Sequence, residues 1–206
     1  MLKLVVGDRN FSSWSLRPWL AAKQAGLPFE EVNVRLHAAG ARESILKHSP
    51  SGKVPCLIDG STLVWDSLAI CEYLAELSPA LWPADRAARA EARSVSAEMH
   101  SGFSALRQNM GMDIRAAKPG QGRTPEVDAD IARIISIWEG CRSRHAAGGS
   151  FLFGSFSIAD AMYAPVVWRF VTHAVPLPVA SQAWADAMLA LPAMREWQAS
   201  ALAEAE

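Results

Sequence analysis

Two residue pairs hold the groups best suited to binding a ligand. Val54-Pro55 opens the apolar run Cys56-Leu57-Ile58, and eleven residues after Pro55 the pair Asp66-Ser67 starts a helical pattern. Proline has no N–H and cannot sit inside a central strand, so Pro55 is expected at a strand's first residue, with the Val54 backbone groups outside the ladder and free to bind. Ser67 stands where a helix exposes its first N–H groups, and hydroxyl and amides together make an anion site. The Asp66 carboxylate beside it can hold an ammonium group.

A ligand with a carboxylate and an ammonium at one end, followed by a peptide-like stretch that pairs with Val54, is a small modified peptide such as glutathione. A third group of residues is suited to act on its thiol. The segment Asn10-Phe11-Ser12-Ser13-Trp14-Ser15-Leu16-Arg17-Pro18 leads into a helix, and Pro18 is tolerable only in an opening turn, which makes Ser15 the expected N-cap. Ser12 and Ser13 then lie in the preceding loop, facing the crevice where α/β folds bind ligands. A free thiol has a pKa of about 8.5, and each unit of lowering takes about 1.4 kcal/mol of preferential thiolate stabilisation. A serine hydroxyl and a helix dipole can supply that. The serine would donate a hydrogen bond; it would not be the nucleophile. No histidine or carboxylate is near it in sequence, so a hydrolase triad has little support. The plain alternative is that three serines merely cap a helix.

The elements that must hold these groups follow from periodicity. Leu4-Val5-Val6 reads as a strand. Leu16, Trp19, Leu20, the Lys23 stem and Leu27 form one helical face, and Val32 and Val34 carry a second strand. A strand-helix-strand start needs a parallel pair. Residues 36–48 are either a short helix or a loop. Asp59-Gly60 reads as a tight turn joining Cys56 to Ile58 with Leu63 to Trp65, and the next helix has apolar positions Leu68, Cys71, Leu74 and Leu77. Residues 78–85 hold two prolines, and beyond them only helical patterns appear. Val95, Met99, Phe103, Leu106 and Met110 keep one stripe; Val127, Ile131, Ile134, Ile135 and Trp138 keep another, after Thr124-Pro125. Ser157-Ile158-Ala159-Asp160 is a capping box, for which a structural role suffices. The expected fold is therefore an α/β domain over residues 1–77, a linker over 78–85 and an all-helical domain over 86–206.

Composition narrows the partners. Half of the 206 residues are hydrophobic, enough for a core without staples, and a formal charge of −1 is spread without blocks of one sign. Nucleic acid and anionic membrane surfaces are not expected partners. Three cysteines at scattered spacings suggest reduced thiols and no zinc site, with Cys56 and Cys71 buried and inert. The five histidines have no ligand spacing, so no metal is expected. The chain reaches strand-like sequence at once, without a signal-peptide pattern or membrane span, which points to the cytoplasm.

Three motifs in register give the chain a resemblance to the glutathione transferases, with a thioredoxin-like N-terminal domain and a helical C-terminal one. Ser-Ser-x-Ser-x-Arg before the first helix resembles the serine-type classes, especially the zeta class, which includes maleylacetoacetate isomerases. Ser51-Gly52-Lys53-Val54-Pro55 resembles the family's cis-proline loop, and Asp66-Ser67-Leu68-Ala69-Ile70 its γ-glutamyl site. Ser157 to Asp160 resembles the capping box of its second domain.

The resemblance implies that Ser12 activates the thiol, with Ser13 the second choice, and that Pro55 is cis. It implies that Val54 pairs with the cysteinyl unit beside Lys53, and that Asp66 and Ser67 hold the γ-glutamyl end. Arg35, Lys47 and His48 are candidates for the glycyl carboxylate. Arg17 keeps its family position, as a solvated first-turn residue or a group near the ligand. Trp14 replaces the zeta-class cysteine and narrows the pocket beside the sulfur. A second-substrate pocket is expected between the domains, at Trp14, Phe103, Leu106, Met110 and Met112, although a Phe and Met stripe is more often core. A homodimer is implied. The activity expected is conjugation of glutathione to a small electrophile. Cis-trans isomerisation and peroxide reduction are variants on the same residues, and a non-catalytic binding module is the alternative of a different class. Joint retention of the serine pair, Val-Pro and Asp-Ser argues against that last alternative.

Overall fold

A computed structural model describes residues 1–204; the last two residues of the expected helical domain lie outside the described residues. The first unit runs β1 (Leu2–Gly7), α1 (Ser13–Gln24), β2 (Phe29–Val34), α2 (Ala41–Leu46), β3 (Cys56–Asp59), β4 (Thr62–Trp65) and α3 (Ser67–Leu77). Its sheet has the order β2-β1-β3-β4, with β1 parallel to β2 and antiparallel to β3. The uncertain segment 36–48 resolves into loop plus the short α2. The β3–β4 hairpin pairs Asp59 with Thr62, one residue beyond the expected strand ends, and Gly60 takes the positive φ of its tight turn.

The helical unit comprises α4 (Arg86–Ser101), α5 (Ser104–Asn109), α6 (Pro125–His145), α7 (Ile158–His173), α8 (Val179–Ala190) and α9 (Pro192–Ala203). Phe103, Leu106 and Met110 do not continue the α4 stripe on one helix. A Cβ at Gly102 would sit 2.8 Å from the Glu98 carbonyl oxygen, and Phe103 follows with φ 59°, so the chain breaks and restarts as α5. All of Val95, Met99, Phe103, Leu106 and Met110 are nonetheless buried. On α6, Ile137 is buried and Ile135 only half-buried.

One continuous core joins the two units. α1 packs against α3 on one side and α7 on the other, and the cluster runs from Leu4, Val6 and Leu57 of the sheet through Leu16, Trp19 and Leu20 to Met162, Val166 and Trp184. The other sheet face carries a small cluster of Val5, Val34, Ile45 and Cys56 beneath α2. Within this frame α3 turns Ile70, Cys71, Leu74 and Ala75 inward, while Leu68 is half-buried and Leu77 exposed. That is a rotation of the expected face toward Ile70.

Two caps anchor the helices where the sequence places them. Val127 N–H donates to Thr124 Oγ1 at 3.3 Å at the head of α6. Buried Asp160 accepts from Ser157 N–H and Oγ, Leu152 N–H and Trp184 Nε1, all within 2.9 Å. These four donors offset the cost of burying a carboxylate, although burial still pushes its pKa up.

Candidate active site

The loop from β1 to α1 is held at the C-terminal end of β1 by α9 and by Glu204 just beyond it. Trp197 Nε1 donates to the Arg9 carbonyl at 2.9 Å, and the Glu204 carboxylate accepts from the Arg9 and Asn10 N–H groups at 2.5 and 3.1 Å. The Arg9 guanidinium lies over Trp197 at 4.3 Å and pairs with Glu31. Asn10 ties the same loop to the helical unit through Asp113 and the Arg115 N–H.

From this loop α1 starts earlier than the proline suggests. It begins at Ser13 with Ser12 in the capping position, so Ser15 is not the N-cap and Pro18 lies inside the helix. Pro18 has no N–H to give the Trp14 carbonyl, a cost the buried packing of α1 outweighs. The Ser15 side chain turns inward instead, accepting from Gly7 N–H at 3.1 Å and from the Ser12 hydroxyl at 2.7 Å. Ser12 and Ser13 are both 5% exposed. Ser13 Oγ accepts from the Arg169 guanidinium at 3.3 Å, and its own proton has no acceptor among the described residues.

A cavity of about 470 Å³ opens between the two units, lined by Trp14, Lys53, Val54, Pro55, Asp66 and Ser67, together with Ser51, Trp65 and His100. Six of the residues singled out in sequence thus meet in one place. The Val54-Pro55 peptide is cis; β3 starts at Cys56, so Pro55 stands one residue before the strand rather than at its first residue, and Val54 is outside the ladder. Asp66 takes φ 77°, and its Oδ1 accepts from the Leu68 and Ala69 N–H groups at 2.9 and 3.4 Å, capping α3. The other oxygen faces His100 Nε2 at 3.2 Å. Ser67 is buried, and its Oγ has no partner among the described residues.

Arg17 is not solvated. Its guanidinium is fully buried against the Trp14 ring at 4.3 Å, with Nε and Nη1 unpartnered among the described residues. Burial, then the neighbouring Arg107 and Arg169, push its pKa down to about 9, against a pull upward from Cys71 and Asp66. Arg169 is similarly depressed, to about 10, by burial and Arg107. Three guanidiniums thus set a positive potential behind the cavity. Such a field favours an anion, thiolate or carboxylate, where water is excluded.

Several expected site residues lie elsewhere. Ser12 and Ser13 are buried and do not line the cavity. Phe103 and Met110, expected to line a second-substrate pocket, are 8% and 0% exposed, because the break at Gly102 folds α5 back into the core; Leu106 and Met112 are buried with them. His48 is half-buried outside the cavity, its carbonyl accepting from Cys56 Sγ at 3.4 Å. Lys47 is exposed and outside it too. Arg35 lines a different cavity of about 390 Å³ with Asp8, Phe11, His37, Arg115 and Glu204. The three cysteines are free and buried, and burial pushes Cys71 and Cys141 up to about 12 and raises Cys56. None of them is poised to ionise at neutral pH.

His100 and Trp65 were not singled out as site residues in the sequence, and Ser51 entered only as the first residue of the Ser51–Pro55 motif. Trp65 precedes Asp66, and adjacency is the available signal for it. His100 carries none: it sits in the last turn of α4, a polar residue beside the apolar stripe.

Residues 11–77 match the family model described as glutathione S-transferase, N-terminal domain, and residues 112–198 match glutathione S-transferase, C-terminal domain. A maleylacetoacetate isomerase of Rattus norvegicus is 32% identical over 197 residues, 91% of this chain and 87% of its own. A probable maleylacetoacetate isomerase of Caenorhabditis elegans is 27% identical over 180 residues, 84% of this chain and 82% of its own. Among solved structures, a glutathione transferase homolog from Burkholderia with bound glutathione superposes with a TM-score of 0.73 at 25% identity, covering 98% of this chain and 99% of that one.

Proposed function

Because the chain belongs to the glutathione S-transferase family and is a glutathione-dependent transferase or isomerase, we propose that the cavity between Trp14, Val54 and Asp66 is its cosubstrate site. The observation that carries this is charge complementarity at one end of the cavity. A half-exposed Asp66 carboxylate faces the opening, while the unpartnered Ser67 hydroxyl and Arg17 donors lie buried beside it. Buried donors without partners cost about 1–3 kcal/mol each, and a ligand anion beside them recovers that cost. The γ-glutamyl group brings both complements, an ammonium for Asp66 and a carboxylate for Ser67 and the α3 amides. The Val54 backbone pairs with the cysteinyl unit. Lys53, reaching into the cavity beside Ser51, takes the glycyl carboxylate that Arg35, Lys47 or His48 was expected to hold.

The thiol then lies toward the start of α1, where the Ser12 hydroxyl, released from Ser15, or the Ser13 hydroxyl donates to it. The thiolate attacks an electrophilic carbon, and the new C–S bond displaces a leaving group or leaves a carbanion that is protonated. In the isomerase variant the same thiolate adds to a cis double bond, the single bond rotates, and elimination regenerates the thiol. The similarity to maleylacetoacetate isomerases supports that variant; the Trp14 indole beside the sulfur favours simple conjugation of slim electrophiles. The electrophile enters from the Phe11 side of Ser12, over the cavity that Phe11 shares with Arg35, His37 and Arg115. Trp14 walls the other side. We place the enzyme in the cytoplasm as a homodimer, on family precedent and on the exposed Leu63 and Trp65 of edge strand β4.

Retention on immobilised glutathione and a melting temperature that rises with millimolar glutathione are expected; at a hundredfold excess over Kd the gain is about 2.7 kcal/mol. Failure of both rejects the assignment. Turnover of an activated aryl halide, maleylacetoacetate and an organic hydroperoxide, each with glutathione, separates conjugation from isomerisation and peroxide reduction. Binding without turnover of any substrate favours the non-catalytic module.

A further inference from the structure

The helical unit puts one polar side chain into the cosubstrate cavity, and it meets the carboxylate assigned above to the ligand's ammonium. His100 Nε2 is 3.2 Å from Asp66 Oδ2, the oxygen that the α3 cap leaves available, while Asp66 Oδ1 is taken by two backbone N–H groups. His100 lines the cavity, with its ring set edge-on to Trp14 at 5.4 Å and its Nδ1 buried without a partner among the described residues. A cation approaching Asp66 therefore meets His100 at the same time.

We propose that His100 is a binding residue for the γ-glutamyl ammonium: neutral, it accepts a hydrogen bond alongside Asp66, and protonated, it competes with the ammonium for Asp66. This rests on the cosubstrate reading and adds a residue and a pH dependence to it.

The groups facing His100 set its charge state. Burial comes first and lowers its pKa below the ordinary histidine range; Arg17 of α1 and Arg107 of α5 lower it further, and Asp66 alone pulls it up. Arg107 also holds the His100 carbonyl at 3.3 Å, which fixes the end of α4 beside the cavity. Lys53, on the same cavity, adds positive charge. At neutral pH the ring is therefore uncharged, and Nε2 can take the acceptor tautomer when a ligand ammonium donates to it. Below its pKa the imidazolium has no acceptor left, and it repels the ligand's charge.

The sign follows directly. The ligand binds the neutral form, so affinity is full above the free-state pKa of His100 and falls, by at most about tenfold per pH unit, as pH drops below it. A glutamine at position 100, which cannot be protonated in this range, isolates the contribution of His100.

S-methylglutathione is the probe, because it has no thiol to titrate. Its Kd is measured by calorimetry from about pH 8 to about pH 5 on the full chain, on His100→Gln and on His100→Ala. The wild type should weaken several-fold toward acid. His100→Gln, with a neutral amide acceptor, should bind within about threefold of wild type at neutral pH and lose the acid limb. His100→Ala should be weaker at neutral pH by about three- to tenfold and equally flat. An analogue lacking the γ-glutamyl amine should bind all three alike. Equal Kd for wild type and His100→Ala at neutral pH, or an acid limb that survives in His100→Gln, overturns the inference while leaving the cosubstrate site standing. No binding by the wild type at any pH overturns both.

Discussion

The Trp14 indole rests on the Arg17 guanidinium, three residues further along α1, at 4.3 Å from ring centroid to carbon, and Arg107 approaches the same ring at 4.7 Å. The wall of the proposed cosubstrate cavity is thus a cation–π stack with one guanidinium sealed in the core. Each such contact contributes about 0.5–2 kcal/mol, so the indole has a defined position, and on the proposed reading its size sets the space beside the ligand sulfur.

Shrinking that wall should change substrate range more than cosubstrate affinity. Trp14→Cys, which restores the zeta-class residue, is expected to raise kcat/KM for maleylacetoacetate while the glutathione Kd shifts by less than about tenfold. Steady-state kinetics and calorimetry on one preparation decide this. An unchanged substrate profile would remove Trp14 from the specificity argument.

Removing the activating hydroxyl should raise the pKa of the bound thiol by about 1–2 units, equivalent to about 1.4 kcal/mol each, with Kd for glutathione nearly constant. Ser12→Ala and Ser13→Ala, followed by ultraviolet thiolate absorbance against pH, tell which serine acts. If neither variant moves the titration, the thiol is activated by the positive field and helix amides alone.

Asp66→Asn preserves the α3 cap, since asparagine also accepts from Leu68 and Ala69 and tolerates positive φ. It loses the charge. Glutathione affinity should fall by about 10- to 100-fold, as for a charge-assisted hydrogen bond of about 1.5–3 kcal/mol, with a melting temperature within a few degrees of wild type. A large loss of stability instead would assign Asp66 to folding.

Arg17→Met tests the buried guanidinium. A flexible apolar chain of similar reach removes the unpartnered donors and the repulsion from Arg107 and Arg169, so stability should hold or rise. Glutathione binding should weaken. Thermal melts with and without ligand separate the two effects, and a variant that melts lower but binds normally would count against the anion role.

Asp160→Ala leaves four donors without their shared acceptor inside the core. A loss of about 3–5 kcal/mol is expected by chemical denaturation, the scale for breaking a buried charged network. Asp160→Asn should recover part of it.

What this sequence determines by itself is local. Pro55 must stand at the head of β3, the Asp59-Gly60 turn must bring β4 back along it, and Asp66-Ser67 must then open α3 beside Val54, because a short hairpin leaves the chain no other route. Thr124-Pro125 and Ser157 with Asp160 fix their helix starts for the same reason: donor and acceptor lie within four residues. The tertiary structure decided everything that depends on packing between distant segments. Proline chemistry alone places the start of α1 at Ser15, yet burial between the sheet, α3 and α7 draws the helix back to Ser13 and seals Arg17 inside. The hydrophobic stripe through Phe103 and Met110 is compatible with a pocket wall or with core, and only the break at Gly102 and the packing of α5 decide for core. His100, 34 residues beyond Asp66, reaches it only because the end of α4 meets the head of α3, a juxtaposition set by the shared core and invisible to any local pattern.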